Sequence, residues 1–330
     1  MQNRRIVLAS RPTGWVTEDN FRLETVELPP VAEGQVLVRN EWLSLDPYMR
    51  GRMNEGRSYA ASQPLNETMI GGTAGEVVES RNPKFAAGDK VVGYFGWQEY
   101  GLSDGSGLMK VDATRVPLSA YLGAVGMPGV TAWYGLNRII EPKAGETVVV
   151  SAASGAVGGV VGQLAKIAGC RAVGIAGGPE KCRYVVDELK FDACVDYKNE
   201  DVSKALKAAC PNGVDGYFEN VGGAIMDAVL PRMNAFGRIA LCGLIAGYNG
   251  QPIPIGNPAW FLVSRLKLQA FIISEHLDVW PQALKELGAH VAADCIRYRE
   301  TVAHGLENAP AAFIGMLKGQ NFGKQLVKLT

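Results

Sequence analysis

The chain is 330 residues long and 47% hydrophobic, which suits about two domains with real cores and argues against disorder. Lys plus Arg equals Asp plus Glu at 33 each, so no global field draws it to nucleic acid or to an anionic membrane surface. The six cysteines (170, 182, 194, 210, 242 and 295) come no closer together than twelve residues, and His276, His290 and His304 share no ligand spacing, so neither a disulfide framework nor a metal site is expected.

The first apolar run, IVLA, stops at Ser10 and Arg11, too soon for a signal peptide, and a cytoplasmic protein is expected. Residues 4 to about 120 break into short strand-like runs, RRIVLAS, FRLETVEL, QVLVRNEWLSL, AGEVVES and DKVVGYFGWQEYGL, separated by Pro, Gly and Asn. That spacing is the pattern of a small β-rich domain with partly open barrel character. Two loops stand out in it: Asp46 to Met53, and a Gly-, Ser- and Asn-rich stretch around Tyr59 that ends at Gly71 and Gly72. Tyr48, Arg50 and Tyr59 on such loops are candidates to shape a substrate pocket. The alternative is a core aromatic for Tyr48 and an ion-pair partner for Arg50.

From Gly126, MPGVTAWYGL enters a helix, and the stretch around which the chain is organised follows at Glu146 to Ala176. Thr147 to Ser151 is a β-branched run without alternation, as in a strand buried on both faces of a parallel sheet. Gly155 and Gly158 stand three apart in AASGAVG, and Val157 to Ala168 reads as the next helix. Missing Cβ atoms allow a sharp turn there and let a pyrophosphate reach the first helical amides. Ala152 stands where the usual fingerprint begins with glycine, but strand, turn, helix and second strand are all in place. Thr147 to Ala165 carries no charge, yet its four glycines, Ser151, Ser154 and Gln163 fit a buried sheet better than a membrane span.

Helices near Glu180 to Leu189 and Val202 to Ala209 then alternate with the strands ACVDY and VDGYFENV. Helix GAIMDAVLPRM and strands RIALCGL and KLQAFII complete a doubly wound parallel sheet. The tail reads strand, helix, loop, strand, too little for a third domain. The expected division is α/β: residues 1–120, completed by 296–330, and a Rossmann dinucleotide-binding domain over 121–295.

An NAD site usually carries Asp or Glu at the end of the second strand, about twenty residues past the glycine turn. Here Ala176, Gly177, Gly178 and Pro179 stand at that point, followed by Lys181 and Arg183. Small residues and a lysine admit a 2′-phosphate that a carboxylate would repel, and the hydroxyl of Tyr197 is within reach of the same site, so the expected cofactor is NADPH.

The motifs SLDPYMRGRM, GMPGVTAWYGL, AASGAVG, GGPEKCR, YFENVGG, CGLIAGYN and LENAPAAFIGMLKGQNFGK span the chain. Through them it resembles the medium-chain dehydrogenase/reductase superfamily, in the zinc-independent branch of leukotriene B4 dehydrogenase and prostaglandin reductase, most nearly the bacterial curcumin reductase type. The resemblance implies a GroES-like catalytic first domain, a Rossmann domain, a homodimer, and NADPH-dependent hydride transfer to the β-carbon of α,β-unsaturated ketones, curcumin-like or 15-oxo-prostaglandin-like. It also implies site residues. Ser154, Gly155, Ala156, Val157 and Gly158 would cradle the pyrophosphate, Gly178, Lys181 and Tyr197 the 2′-phosphate, and Asn220 the cofactor near its ribose. Gly243, Leu244 and Tyr248, with Phe271, Ile272 and Ile273, would line the nicotinamide end, and Asn321 would reach back across the interdomain cleft.

Leukotriene-type members carry a tyrosine that aligns with Val263 here, so its role does not transfer, which favours Tyr59 and Tyr248 as catalytic phenols with Tyr48 behind them. Residues 1 to 169 hold neither Cys nor His, which excludes the zinc mechanism of the related alcohol dehydrogenases. Reduction then needs hydrogen-bond donors that stabilise the enolate oxygen and a tyrosine or water that protonates the α-carbon. A quinone reductase of the same fold and a non-catalytic NADPH-binding protein are the rival readings.

Overall fold

A computed structural model describes residues 1–329; Thr330, the last residue of the expected first-domain tail, lies outside the described residues. The chain divides into two compact units, Met1–Leu122 with Glu300–Thr330, and Gly123–Arg299.

The first unit opens with β1 (Gln2–Leu8) paired antiparallel to β2 (Phe21–Glu27). Next come β3 (Val36–Ser44), α1 (Tyr48–Arg52), β4 (Thr73–Ser80), β5 (Lys90–Gly93), β6 (Tyr100–Ser103) and β7 (Met109–Lys110). DKVVGYFGWQEYGL is thus two strands. Gly96 breaks it with φ +78°, and a Cβ there would lie 2.5 Å from the Met69 carbonyl oxygen.

Asp46 to Met53 is a short helix where a loop was expected. Pro47 enters it at φ −59°, and Met49 and Arg50 N–H close its first turn on the carbonyls of Asp46 and Pro47. The helix turns Arg50 inward, 2% exposed, where its guanidinium donates to Asn54 Oδ1 at 2.6 Å and Gly14 O at 2.7 Å. Arg50 is therefore a structural donor in the core and does not line an exposed loop.

The second unit begins with α2 (Met127–Tyr134) and β8 (Thr147–Ser151), every residue of which is buried. It continues with α3 (Gly158–Ile167), β9 (Arg171–Ala176), α4 (Pro179–Arg183), β10 (Ala193–Asp196), α5 (Val202–Ala209) and β11 (Val214–Glu219). It ends with α6 (Gly223–Val229), β12 (Met233–Leu241), α7 (Ala259–Val263), β13 (Lys267–Ala270) and α8 (Trp280–Ala292). The strands run in the order β10-β9-β8-β11-β12-β13, and all pairs are parallel. Counted from β8 this is 3-2-1-4-5-6, the Rossmann order, which reverses between β8 and β11 and opens a crevice at the carboxyl ends of those strands. No helix among the described residues is long and apolar enough to cross a membrane.

The tail returns to the first unit as β14 (Glu300–His304), α9 (Ala309–Leu317) and β15 (Lys324–Lys328). β15 pairs parallel to β14 and antiparallel to β3, extending the sheet that holds β4, β5 and β7. Phe313 of α9 packs edge-on to Trp97 with ring centroids 5.7 Å apart, and Trp97 stacks on Phe21 at 5.2 Å. These rings centre a core to which Met49 and the half-buried Tyr48 contribute.

Candidate active site

The glycine turn sits at the reversal of strand order. Ala152 leaves β8 with φ +50°, the left-handed conformation that glycine supplies in the usual fingerprint. Gly158 is required by contact, because a Cβ there would come within 2.4 Å of Ala152 O. Gly155 N–H closes the turn on Ala152 O at 2.9 Å, and Gly159 N–H bonds Gly155 O at 3.0 Å. Ser154, Ala156 and Val157 form the intervening backbone, and Val157 caps α3. A tight glycine turn that opens a ten-residue helix fits a dinucleotide pyrophosphate.

Across the reversal, the buried carboxylate of Glu219 ends β11. It accepts from Ser151 Oγ at 2.6 Å, Tyr217 Oη at 2.5 Å and Val221 N–H at 2.6 Å. Burial first, then the Glu219 charge, pushes the Tyr217 phenol well above its ordinary value, so it remains a donor. Asn220 follows, its amide donating to Ser151 O at 2.8 Å and its N–H to Ser151 Oγ at 2.7 Å. The network ties β11 to β8 and holds Asn220 at the crevice.

At the ends of β9 and β10, Gly177 and Gly178 have separate reasons to be glycine. A Cβ on Gly177 would come within 2.8 Å of the Tyr197 ring, and Gly178 stands at φ +99°. Strand β10 ends at Asp196, so Tyr197 follows the strand rather than closing it. Asp196 fixes the turn from behind, accepting from Gly178 N–H at 2.7 Å, Lys198 N–H at 3.0 Å and Asn199 Nδ2 at 2.7 Å. Burial would raise its pKa, but those bonds outweigh it and hold the carboxyl below its ordinary value. The Gly178 N–H is thus bonded to Asp196.

Lys181 is half-buried, and its ammonium is pushed down by burial and then by the charge of Lys198. Two cations close enough to repel, beside an exposed phenol, suit a phosphate dianion. Sequence reasoning missed Lys198, whose only signal was its place directly after Tyr197.

At the end of β12, Gly243 and Leu244 lead into the half-buried Tyr248. Leu244 N–H points at Tyr248 Oη over a long 3.5 Å, and Ile245 N–H bonds Asn220 O at 3.2 Å, which brings this loop beside the end of β11. Phe271, Ile272 and Ile273 follow β13, with Phe271 and Ile273 buried. The Phe271 ring packs 5.3 Å from Tyr134 and 6.3 Å from Phe218 between centroids. Val263 is exposed at the end of α7.

In the first unit Tyr59 is exposed and Tyr48 half-buried. Burial, then the Asp46 carboxylate, then the phenols of Tyr94 and Tyr59 push the Tyr48 phenol well up. Tyr94 is a member of this phenol group that the sequence did not single out. Asp46 is itself pinned: Lys324 Nζ bonds its Oδ1 at 2.7 Å, and Ser44 Oγ donates to its Oδ2. Asn321 folds onto its own loop, its amide donating to Gly323 O at 2.8 Å.

Strand order and glycine turn together define a protein of the dinucleotide-binding α/β class. A family model described as the N-terminal domain of oxidoreductase matches residues 4–111, and one described as zinc-binding dehydrogenase matches residues 156–289. The NADPH-dependent curcumin reductase of Escherichia coli (strain K12) is 48% identical over 335 residues, covering 99% of this chain and 97% of its own. Prostaglandin reductase 1 of Rattus norvegicus is 45% identical over 324 residues, covering 96% and 95%. A crystal structure of CurA in complex with NADPH from Vibrio vulnificus matches with a TM-score of 0.94 at 46% identity, over 99% of each chain. The chain belongs to the zinc-independent branch of the medium-chain dehydrogenase/reductase family. The second model's description names zinc, but among the described residues no group of three or more His, Cys, Asp or Glu is placed to hold a metal.

Proposed function

We propose that this protein is an NADPH-dependent reductase of the carbon–carbon double bond in α,β-unsaturated ketones. The observation that carries the reading is the turn at the ends of β9 and β10, where a glycine pair stands in place of a ribose-binding carboxylate, the Tyr197 ring lies against Gly177, and Lys181 feels the charge of Lys198. In this reading the Ala152 to Gly158 turn and the first turn of α3 hold the pyrophosphate, and Asn220 contacts the cofactor near its ribose. When bound, NADPH supplies the hydride that an enone accepts at its β-carbon.

The chain's own part is to orient, to exclude water and to donate protons. As the enone becomes an enolate, its oxygen gathers charge, and a phenol O–H aimed at that oxygen lowers the barrier. Removing one such donor typically costs about 100-fold to 1000-fold in rate. Tyr248 is the first choice, since its loop lies against Asn220 at the carboxyl ends of β11 and β12. Tyr59 and Tyr48 are the alternatives in the first unit. The raised pKa of Tyr48 keeps its phenol protonated, which suits a donor and not a base.

A homodimer fits the second unit, where β13 ends the sheet and the neighbouring α7 exposes Leu262 and Val263. The deciding experiment measures NADPH oxidation with a panel of enones, enals and quinones, with product identification. Saturated ketones formed from enones, with quinones slow, is the expected result. Turnover confined to quinones, or none with any acceptor, would refute the reading.

A further inference from the structure

Two cysteines outside the reacting centre stand together. Cys182 lies on α4 directly after Lys181, and Cys194 on β10 two residues before Asp196. Their Sγ atoms are 3.1 Å apart, with the Cys194 thiol donating toward Cys182. A disulfide is about 2.05 Å long, so closure asks for a movement of about 1 Å. β9 passes the pair at Gly174, where a Cβ would press on Ala153 Cβ at 2.7 Å and Val185 at 2.9 Å and would touch Cys194 Sγ at 3.4 Å. Both thiols are half-buried, as is Cys242, whereas Cys170 and Cys210 are buried and Cys295 is exposed.

We propose that Cys182 and Cys194 are a redox-active dithiol that hydrogen peroxide closes to an intramolecular disulfide, and that closure weakens NADPH binding at the adjacent Gly177 to Lys181 stretch. The second half rests on the reading of Lys181 as a 2′-phosphate ligand. The chemistry runs in two balanced steps. The Cys182 thiolate attacks the peroxide O–O bond, giving a sulfenic acid and, after proton transfer, water. The Cys194 sulfur then displaces hydroxide from that sulfenic acid, forming the S–S bond and a second water. Two electrons pass from the dithiol to the peroxide, and a small-molecule dithiol returns them.

The assignment of attacking sulfur follows from the hydrogen bond. The Cys194 S–H donated to Cys182 lowers the pKa of Cys182, against the opposing effect of burial, while Cys194 is pushed up by that same contact and by burial. The link to the cofactor is mechanical. Cys182 N–H bonds Gly178 O at 3.1 Å, and Asp196 holds Gly178 N–H at 2.7 Å. Drawing Cys182 toward β10 therefore pulls on both sides of the turn that carries Lys181.

The test uses the full chain with Cys295→Ser as background. It is treated with a small excess of hydrogen peroxide, alkylated, and digested without reduction for mass analysis. NADPH and NADH are titrated calorimetrically into reduced and oxidised protein. A cross-linked Cys182–Cys194 peptide, reversed by dithiothreitol, should appear together with a rise of about five- to tenfold in the NADPH Kd, the cost of a displaced charged contact, with NADH unchanged. Cys182→Ser and Cys194→Ser should each abolish the peroxide response. Sulfenic or sulfinic Cys182 beside an alkylated Cys194 would overturn the dithiol, and a cross-link that leaves the NADPH Kd unmoved would overturn the coupling. Should the reduced protein bind NADPH and NADH equally, the cofactor reading fails, while the peptide map still decides on the dithiol.

Discussion

Replacing Lys181 by Ala removes one of two cations from the proposed 2′-phosphate subsite. A hydrogen bond to a charged group contributes about 1.5–3 kcal/mol, and each 1.4 kcal/mol is a decade in Kd, so loss of the contact predicts roughly a 10- to 150-fold rise for NADPH. Lys198 is close enough to depress the Lys181 ammonium, so it remains to neutralise part of the phosphate charge. The single variant should therefore fall at the low end, about tenfold, and Lys181→Ala with Lys198→Ala near the high end.

NADH lacks the phosphate and should bind both variants within about twofold of the parent. Isothermal titration at two salt concentrations checks the origin of the effect, because a charge contact at a half-exposed site weakens as salt rises. Equal parent affinity for the two cofactors, or parallel loss of both in the variant, would refute the reasoning.

Tyr248→Phe should lower turnover on an enone by about 100-fold or more while leaving the NADPH Kd nearly unchanged; if Tyr248→Phe, Tyr59→Phe and their double variant all match the parent, a ribose hydroxyl or water does the work. Asp46→Ala leaves the buried Lys324 without its bonded carboxylate, where the pair is only 8% and 4% exposed, and should cost about 3–5 kcal/mol, read as a lower urea midpoint. An unmoved midpoint would show the pair to be dispensable. Glu300 has a carboxyl raised above 4.5 by burial, only partly offset by Ser119 and Lys324. A carboxyl whose folded pKa is raised binds its proton more tightly when folded, so stability declines as pH climbs from about 4.5 through the folded value. Glu300→Gln should lack that decline, and its melting temperature should gain on the parent between pH 4 and 8; parallel curves would contradict the assignment.

What the sequence disclosed was what neighbours along the chain decide. Thr147 to Ser151 is buried at every position, as its unbroken β-branched run implies. Helix α5 begins after Asp201, whose side chain accepts from Lys204 N–H, a cap written in adjacent residues. The turn at Ala152 was legible in position but not in conformation. Alanine adopts φ +50° there against its preference, in the turn between β8 and α3. Lys198 and Tyr94 were hidden for a different reason, since each matters through a residue that only the fold brings near.

Tyr48 shows how far apart such partners lie. Read locally, DPYMRGRM is a proline-led loop; in the fold it is a helical turn on a core of Met49, Trp97 and Phe313. Its leading carboxylate, Asp46, is bonded to Lys324, 278 residues away on β15. Lys324 also donates to Leu45 O at 2.7 Å, so one buried ammonium fixes both the backbone and the side chain that precede Tyr48. Burial pushes the Lys324 pKa down, with Asp46 and Glu300 opposing, which marks a cation held in place by surrounding structure at some cost in solvation. A change in the tail that loosened Lys324 would therefore be felt at Tyr48, through the position of Asp46 and the field it exerts on the phenol.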